Sequence, residues 1–459
     1  MVFSSPIFLF AFLPATVLVY FCVRKELQNI VLIAFSLFFY AFGEPKNVLI
    51  MLLSIFVNFG FGLLMERTRW KKVTLILALL FNLGVLYVFK YLNFTVDTIN
   101  RVFGTGLVVK KIALPIGISF FTFQILSYVV DVYRGNCKSQ HNLLHMALYI
   151  SLFPQLIAGP IVRYTDVERQ IQSREHSVDR VADGFLRFAI GFSKKVLIAD
   201  QLSPLVRDVF LGKHPSLLLH WVGIIAYALQ IFYDFSGYSD MAIGLGRIFG
   251  FDFAENFDYP YISRSVREFW RRWHISLSSW FKDYLYIPLG GNRKGKMRTY
   301  LNLMIVFFAT GLWHGASFNF IAWGLFYGFF LVIERIGFGR ILTKIPAVFQ
   351  HLYTLLVILV GWVFFRADNM SSALEYLRCM FTWDIKDVTS FHYVMNSKYW
   401  FCIAAGILFS MPIVRKWVRT SPKTVGAKTI YAICTIILFV LAIVYMVGSG
   451  HSPFLYFRF

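Results

Sequence analysis

Charged residues, and acidic ones above all, are scarce in this sequence. Only 15% of its 459 residues are charged and 58% are hydrophobic, which excludes an ordinary soluble protein of this length. Acidic residues number 24 against 45 Lys and Arg, so the net charge is +21. The positive residues stand in short loops beside apolar segments, where they set topology and meet anionic headgroups. We therefore expect a membrane protein and no nucleic-acid partner, although the same charge would attract an anionic cosubstrate such as coenzyme A.

Cysteine is also rare, and the common metal-binding motifs are missing. The five cysteines form no CxxC pair, which argues against both a disulfide framework and a thiolate metal site. No HExxH segment is present, and no GK[ST] follows a glycine at P-loop spacing. We therefore expect no metal and no tightly bound cofactor.

Apolar runs long enough for a bilayer recur from one end of the chain to the other. The first, residues 6–23, has no basic segment before it and no cleavage site after it, so it is interpreted as a spanning helix rather than a signal peptide. Several runs are short, so we predict about ten to twelve transmembrane helices with re-entrant or interfacial pieces. The candidate runs are 6–23, 29–42, 48–65, 73–92, 114–132, 144–158, 185–198, 218–235, 301–312, 318–333, 351–365, 401–414 and 430–447.

Basic loops predict the orientation. Short Lys/Arg-rich loops stay in the cytoplasm, which places residues 66–72, 264–298 and 415–428 on that side. Residues 256–300 hold nine Lys/Arg against three Asp/Glu. We predict one integral-membrane domain over residues 1–459, with N-terminal helices at 1–110, a catalytic core at 111–400, and C-terminal helices with an aromatic tail at 401–459.

Two apolar stretches carry features that suit a cavity wall. Residues 114–123 mix proline and glycine into an apolar run, which indicates either a wall of a wet cavity or a kinked helix. Asp234, Ser236 and Asp240 stand at the end of the apolar run 218–235. They indicate a polar chamber lining or, as the simpler interpretation of each residue alone, the end of a helix capped by Asp240.

The most basic and Trp-rich stretch runs from residue 263 to 296. Trp270, Trp273, Leu277, Trp280 and Tyr284 recur at helical spacing among arginines, a pattern typical of a helix at the membrane interface. The glycine-rich loop 289–296 that follows could bring backbone amides and lysines to a phosphate, although its spacing is not that of a P-loop. The residues predicted to bind an anionic donor are Arg271, Arg272, Asn292, Arg293 and Lys294.

One histidine stands at the end of an apolar run. His314 lies between Gly311 and Gly315, which remove bulk on both sides of its ring. A lone histidine in an apolar helix is often a hydrogen-bonded core residue. A catalytic base is the alternative, because the glycines would leave the imidazole reachable by a substrate.

Five motifs together resemble the membrane-bound O-acyltransferase family, and within it the bacterial branch that acetylates alginate or peptidoglycan or D-alanylates teichoic acid. The motifs occur in the family's order from about residue 114 to the end. They are residues 233–240 (YDFSGYSD), 270–274 (WRRWH), 284–292 (YLYIPLGGN), 313–315 (WHG) and 456–459 (YFRF).

The resemblance implies a fold and two catalytic residues. The expected fold is an all-α polytopic membrane protein whose helices enclose a central tunnel. His314 matches the family's membrane-embedded active-site histidine, and His274 matches its second histidine. Trp313 joins Asp234, Ser236 and Asp240 as an expected lining residue of the chamber.

The resemblance also implies a reaction and partners. The expected enzyme moves an acyl group, most simply acetyl, from a cytoplasmic thioester donor across the inner membrane of a bacterium for O-acetylation of an alginate-type polysaccharide. The donor is acetyl-coenzyme A or an acyl carrier, and an extracytoplasmic partner of the SGNH-hydrolase type completes the transfer. Tyr456 is a candidate acyl relay or docking residue. The alternatives are teichoic-acid D-alanylation from a carrier protein and a non-enzymatic transporter of polysaccharide or lipid.

Overall fold

The computed structural model describes residues 1–212, 216–382, 387–413 and 425–449. Within these ranges the chain forms helices and connecting segments and no β-strand. The α-helices in chain order are α1 (Leu13–Cys22), α2 (Gln28–Gly43), α3 (Val48–Arg67), α4 (Lys71–Leu86), α5 (Leu92–Phe103), α6 (Ile118–Arg134), α7 (Leu143–Ser151), α8 (Phe153–Leu156), α9 (Tyr164–Gln172), α10 (Val178–Lys194), α11 (Asp200–Leu211), α12 (Leu217–Ile248), α13 (Val266–Arg272), α14 (Ile275–Phe281), α15 (Lys296–His314), α16 (Phe318–Ile333), α17 (Gly339–Leu342), α18 (Ala347–Arg366), α19 (Met370–Cys379), α20 (Asp387–Val394), α21 (Ser397–Phe409) and α22 (Val425–Ser449).

Short turns of tighter or wider helix join several of these elements end to end. Wider, π-helical turns cover Phe8–Phe12, Tyr87–Tyr91, Lys195–Ala199, Lys282–Tyr286 and Glu334–Phe338, and 3₁₀ turns cover Lys25–Leu27 and Pro260–Ile262.

Among the described residues, seven helical segments are long and apolar enough to cross a bilayer, judged by length and composition. They are Lys25–Gly43, Val48–Arg67, Lys71–Phe103, Leu217–Ile248, Phe318–Leu342, Ala347–Arg366 and Gly426–Gly448. Two shorter apolar helices, Phe8–Cys22 and Ser397–Phe409, do not reach that length. The chain is thus an all-α polytopic membrane protein, as its composition predicted. Some candidate runs, such as 144–158, form short, interrupted helices rather than one long helix. The total of ten to twelve spans therefore stays a prediction.

The chain divides into two compact units. The first comprises Met1–Phe188 with Met241–Ala254, and the second comprises Ala189–Asp240 with Glu255–Phe459. The predicted boundaries near residues 110 and 400 do not correspond to these units and stay a prediction about organisation along the sequence.

In the first unit, aromatic packing and one pair of amides hold the helices together. Phe8, Phe12, Phe39 and Phe153 pack ring against ring with centroids 5.3 to 6.3 Å apart. Asn58 of α3 and Asn82 of α4 donate to each other's side-chain oxygens, at 3.0 and 2.6 Å. Both amides are buried, and each satisfies the other where no water is available.

In the second unit, α15 and α16 pack against each other through glycine. A Cβ placed on Gly311 would lie 2.2 Å from the carbonyl oxygen of Phe320, and one on Gly324 would lie 2.2 Å from that of Phe307. Only glycine permits this backbone approach, which is a common device where membrane helices pack. The contact lies one turn before the end of α15, where His314 stands.

Candidate active site

His314 is the last residue of α15 and is enclosed by aromatic rings. Gly315 after it has extended backbone, so the helix ends there. The imidazole is only 4% exposed, and its ring packs edge-on against Trp323 and Phe365 at centroid distances of 4.9 and 5.1 Å. The side chain therefore sits among apolar aromatic rings.

His274 stands at the corner between α13 and α14. Its backbone is in the left-handed region, with φ 46° and ψ 55°, a conformation that costs a non-glycine residue roughly 1–2 kcal/mol. The imidazole is fully buried and packs edge-on against Phe235, with centroids 4.7 Å apart. Burial lowers the pKa of His274, so its imidazole is neutral at physiological pH.

Trp313 brings the two predicted histidines into one neighbourhood. Its ring centroid lies 6.0 Å from that of His274 and 5.0 Å from that of His314. The indole is itself buried. Two histidines that stand 40 positions apart in the sequence thus share one aromatic neighbour in the second unit.

Asn256, which no sequence motif indicated, is a close polar neighbour of His274. Its side-chain oxygen lies 3.2 Å from Nδ1 of His274 and accepts hydrogen bonds from the backbone N–H and the hydroxyl of Ser276. Its backbone oxygen accepts from the N–H of Ile275. This residue lies 18 positions before His274 in an irregular segment, where the sequence offers no periodicity to reveal it.

Glu334, also missed from the sequence, caps the N-terminus of α13. Its buried carboxylate accepts hydrogen bonds from the backbone N–H groups of Val266 at 2.7 Å and Arg267 at 3.1 Å, and from the hydroxyl of Tyr353 at 3.3 Å. Negative charge at this end of a helix is favourable and satisfies otherwise orphaned donors. The cap fixes the start of the helix that ends just before His274.

A pocket of about 280 Å³ opens beside these helices and is lined by cations. Both helices that meet at His274 contribute to its wall, together with the turn that follows them and residues of α15 and α16. No carboxylate is among the described residues that line it. The lining residues are Arg267, Arg271, Ser278, Lys282, Tyr286, Leu303, Val306, Leu331 and Arg335.

The residues predicted to bind a donor are distributed over different settings. Arg271 lines the pocket. Arg272 donates to Glu268 and to Asp258 at 3.0 Å, so its guanidinium braces the fold around α13. Asn292, Arg293 and Lys294 are exposed in the glycine-rich turn before α15 and are not among the residues lining the pocket.

Two carboxylates of α12, Asp234 and Asp240, are buried and paired with two lysines. The ammonium of Lys195 lies 2.9 Å from Asp234 and also contacts Asp200, while Lys194 donates to Asp240 at 2.6 Å. Ion pairs of this kind hold α12 against the end of α10 and the turn after it. They are the partners that burial of such carboxylates requires.

Ser236 is buried on the same helix as these carboxylates. The Phe235 ring that touches His274 stands between Asp234 and Ser236 in the sequence. The predicted chamber segment thus adjoins the histidine neighbourhood. Tyr456 lies outside the described residues.

Chemically, this arrangement offers two buried imidazoles among aromatic rings, with a cationic pocket beside the segment that carries one of them. A neutral imidazole accepts a proton from a hydroxyl, and arginine and lysine bind phosphate or carboxylate. Among the described residues no cluster of three His, Cys, Asp or Glu side chains has the geometry of a metal site.

Comparison with known proteins places the chain among membrane acyltransferases. Residues 136–365 match the sequence profile of the membrane-bound O-acyltransferase family. The chain is 44% identical over 399 residues to a probable alginate O-acetylase of Pseudomonas aeruginosa, covering 84% of this chain and 77% of that protein. It is 39% identical to a probable alginate O-acetylase of Pseudomonas putida over the whole length of both. A peptidoglycan O-acetyltransferase of Helicobacter pylori is 37% identical, over 83% of this chain and 80% of that protein.

Proposed function

The chain belongs to the membrane-bound O-acyltransferase family, and on this premise we propose that it moves an acetyl group from a cytoplasmic thioester donor across the membrane for O-acetylation of an alginate-type polysaccharide. The chain is an O-acyltransferase; the acetyl group, its donor and its acceptor are the proposal. The observation that carries it is the placement of His274 and His314 around the one buried ring of Trp313.

His314 is the proposed general base. Its neutral imidazole takes the proton of a hydroxyl as that oxygen attacks the thioester carbonyl, which forms the new ester bond. The carbon–sulfur bond then breaks, and the thiolate leaves with the proton that the imidazole carried. A well-placed general base contributes roughly 10²–10⁴ in rate. The glycine contact between α15 and α16 holds this histidine in place, which favours a defined geometry for attack.

The cationic pocket supports a donor that bears phosphate. Three arginines and one lysine line it, and guanidinium groups bind phosphate oxygens in paired hydrogen bonds. Acetyl-coenzyme A and a phosphopantetheine-bearing acyl carrier both provide such phosphates. Arg271 is the proposed donor ligand that belongs to both the predicted set and the pocket, and Asn292, Arg293 and Lys294 are proposed to contact the donor from the neighbouring turn.

The acceptor is proposed from the relatives, whose names give alginate and peptidoglycan O-acetylation. Because this chain resembles these O-acetylating relatives along most of its length, we favour acetyl transfer over D-alanylation of teichoic acid. We propose a location in the bacterial inner membrane and an extracytoplasmic SGNH-type partner that completes the transfer. Tyr456 is proposed as the relay or docking residue.

The proposal is tested by replacing the base. His314→Ala, expressed at wild-type level in cells that lack the native protein, is expected to abolish acetyl esters on the exported polymer, measured by mass spectrometry. His392→Ala replaces an exposed histidine of α20 and is expected to leave the ester content unchanged. Wild-type acetylation by a folded, inserted His314→Ala protein would instead indicate a transporter or a scaffold.

A further inference from the structure

The side chain of Asn256 determines which ring nitrogen of His274 carries the proton. An asparagine amide presents an oxygen at one end and an NH₂ group at the other, and the two are told apart by their partners. The backbone N–H of Ser276 is a donor only, and it points at the same Asn256 atom, at 3.1 Å, that lies 3.2 Å from Nδ1 of His274. That atom must therefore be the oxygen.

The imidazole tautomer follows from this assignment. A carbonyl oxygen only accepts hydrogen bonds, so the Nδ1 atom of His274 must donate and must carry the ring proton. In a neutral imidazole the other nitrogen, Nε2, then has a lone pair. The apolar rings of Phe235 and Trp313 on the imidazole favour that neutral form over a charged one.

We propose that Asn256 is a positioning residue that holds His274 with Nδ1 protonated, so that Nε2 acts as an acceptor of a proton or hydrogen bond during acyl transfer. This role deepens the proposed function and rests on it. A carboxylate at position 256 would orient the ring equally well but would stabilise the imidazolium. An amide oxygen orients the ring without favouring the charge, which suits a base that must stay neutral until the substrate arrives.

The backbone around His274 is tied to the same residue. The Asn256 carbonyl accepts from Ile275 N–H at 3.0 Å, and the N–H of Asp258 donates to the carbonyl of Arg272 at 2.9 Å. These two hydrogen bonds hold the segment 256–258 against the corner between α13 and α14. The two hydrogen bonds offset the conformational free energy of the left-handed backbone at His274, and they leave the imidazole ring little freedom to turn.

The tautomer is measured directly on the full-length protein in lipid nanodiscs. Histidine labelled with ¹⁵N gives separate solid-state NMR signals for protonated and unprotonated ring nitrogens, and the spectrum of His274→Asn identifies the His274 pair by difference. The expected result in the wild type is a protonated Nδ1 and an unprotonated Nε2. A protonated Nε2 with a bare Nδ1 would overturn the proposal, whether or not the protein acetylates anything.

Three variants then test the role in turnover. Asn256→Asp keeps an oxygen acceptor for His274 and Ser276, so Nδ1 of His274 is expected to stay protonated. Its carboxylate also favours a proton on Nε2, and turnover is expected to fall by up to about tenfold. Asn256→Leu removes the acceptor and is expected to lose the tautomer preference and about 10²-fold in turnover, with little change in KM. Ser276→Ala removes one donor to Asn256 but not the acceptor, so its tautomer and turnover are expected to match the wild type.

The outcomes separate this proposal from the proposed function. Wild-type turnover by a folded Asn256→Leu protein would show that the amide has no positioning role. If Asn256→Leu does not fold, the wild-type and Asn256→Asp spectra still decide, because an unprotonated Nδ1 in Asn256→Asp contradicts the assignment. The expected tautomer together with no polymer acetylation by the wild type would leave the assignment intact and refute the proposed function.

Discussion

At the scale of single residues, the distribution of charge around α13 separates two kinds of arginine. Arg272 is half-buried between Glu268 and Asp258, and its hydrogen bonds hold the fold. Arg271, the residue before it, lines the pocket together with Arg267, Lys282 and Arg335. Neighbouring positions on a helix are about 100° apart, so two adjacent arginines reach different surroundings. Removing Arg271 should therefore weaken binding of an anion, whereas removing Arg272 should lower the free energy of unfolding.

Arg271→Gln and Lys282→Gln are predicted to weaken binding of a phosphate-bearing donor. Each removes one charge-assisted hydrogen bond, worth about 1.5–3 kcal/mol, so KM for acetyl-coenzyme A should rise about tenfold or more. Initial rates at varied donor concentration, with the protein in nanodiscs, measure this. Arg340→Gln replaces an exposed arginine outside the pocket and should leave KM unchanged. Unaltered KM in both pocket variants would show that the donor binds elsewhere.

Whether a carrier protein delivers the acyl group is decided by the same two variants. A short phosphopantetheine thioester without the adenosine diphosphate portion should lose less from each substitution than acetyl-coenzyme A does, because it offers fewer phosphates to the pocket. Equal losses with both donors would place the pantetheine phosphate in the pocket and would favour a carrier-bound donor.

At the scale of elements, the position of His314 depends on the contact between α15 and α16. Gly311 lies one turn before this histidine and faces the backbone of Phe320. Trp323 and Phe320 of α16 also contact the imidazole. The loop between the helices is short, so a shift at the glycine contact would be passed directly to the histidine and its aromatic neighbours.

Gly311→Ala is predicted to destabilise the protein and to impair turnover. The added methyl group would lie 2.2 Å from a backbone oxygen, so the helices must separate, at a cost of about 1–3 kcal/mol in unfolding free energy. Thermal unfolding in detergent and acetyl transfer in nanodiscs report the two effects. The matched control is Gly84→Ala in α4, where no described atom lies within 4 Å of the new methyl group. That substitution should be neutral or stabilising by up to about 1 kcal/mol, and an equal loss in both variants would contradict the close-packing argument.

At the scale of the whole molecule, the excess of positive charge and the apolar helices together predict an orientation in the membrane. The basic loops at 66–72 and 264–298 should face the cytoplasm. The 20 residues of α3 span about 30 Å, which is the thickness of the hydrocarbon core. Residues just before α3 should therefore lie on the opposite side from residues just after it.

Cysteine labelling is predicted to place Arg69 and Asn292 on the cytoplasmic side and Lys46 outside. Each position receives a single cysteine, Arg69→Cys, Asn292→Cys or Lys46→Cys, in a variant whose five native cysteines are serine. A membrane-impermeant maleimide should label only Lys46→Cys in intact spheroplasts and all three after lysis. Labelling of Asn292→Cys in intact spheroplasts would indicate the opposite orientation. The cationic pocket would then lie away from a cytoplasmic donor.

Composition and local pattern alone determined the class of this protein. Apolar runs identify a helical membrane protein because backbone polar groups in lipid must be satisfied within helices, and this was confirmed together with the family. Short motifs also marked His274 and His314, whose catalytic roles stay predictions. Tyr456 and the closing aromatic motif lie outside the described residues, so the sequence is the sole source for their proposed role.

Only the tertiary structure decided which side chains meet. The ring of Trp313 lies beside both histidines, and Asn256 contacts His274 from 18 positions away. Four cations from three elements line one pocket. The structure also showed that Arg272, adjacent to a pocket residue, forms ion pairs with Asp258 and Glu268. Hydropathy and helical periodicity describe neighbours along the chain, whereas hydrogen bonds and pockets depend on how separate helices pack. For that reason the sequence pointed to the histidines but not to the residue that orients one of them.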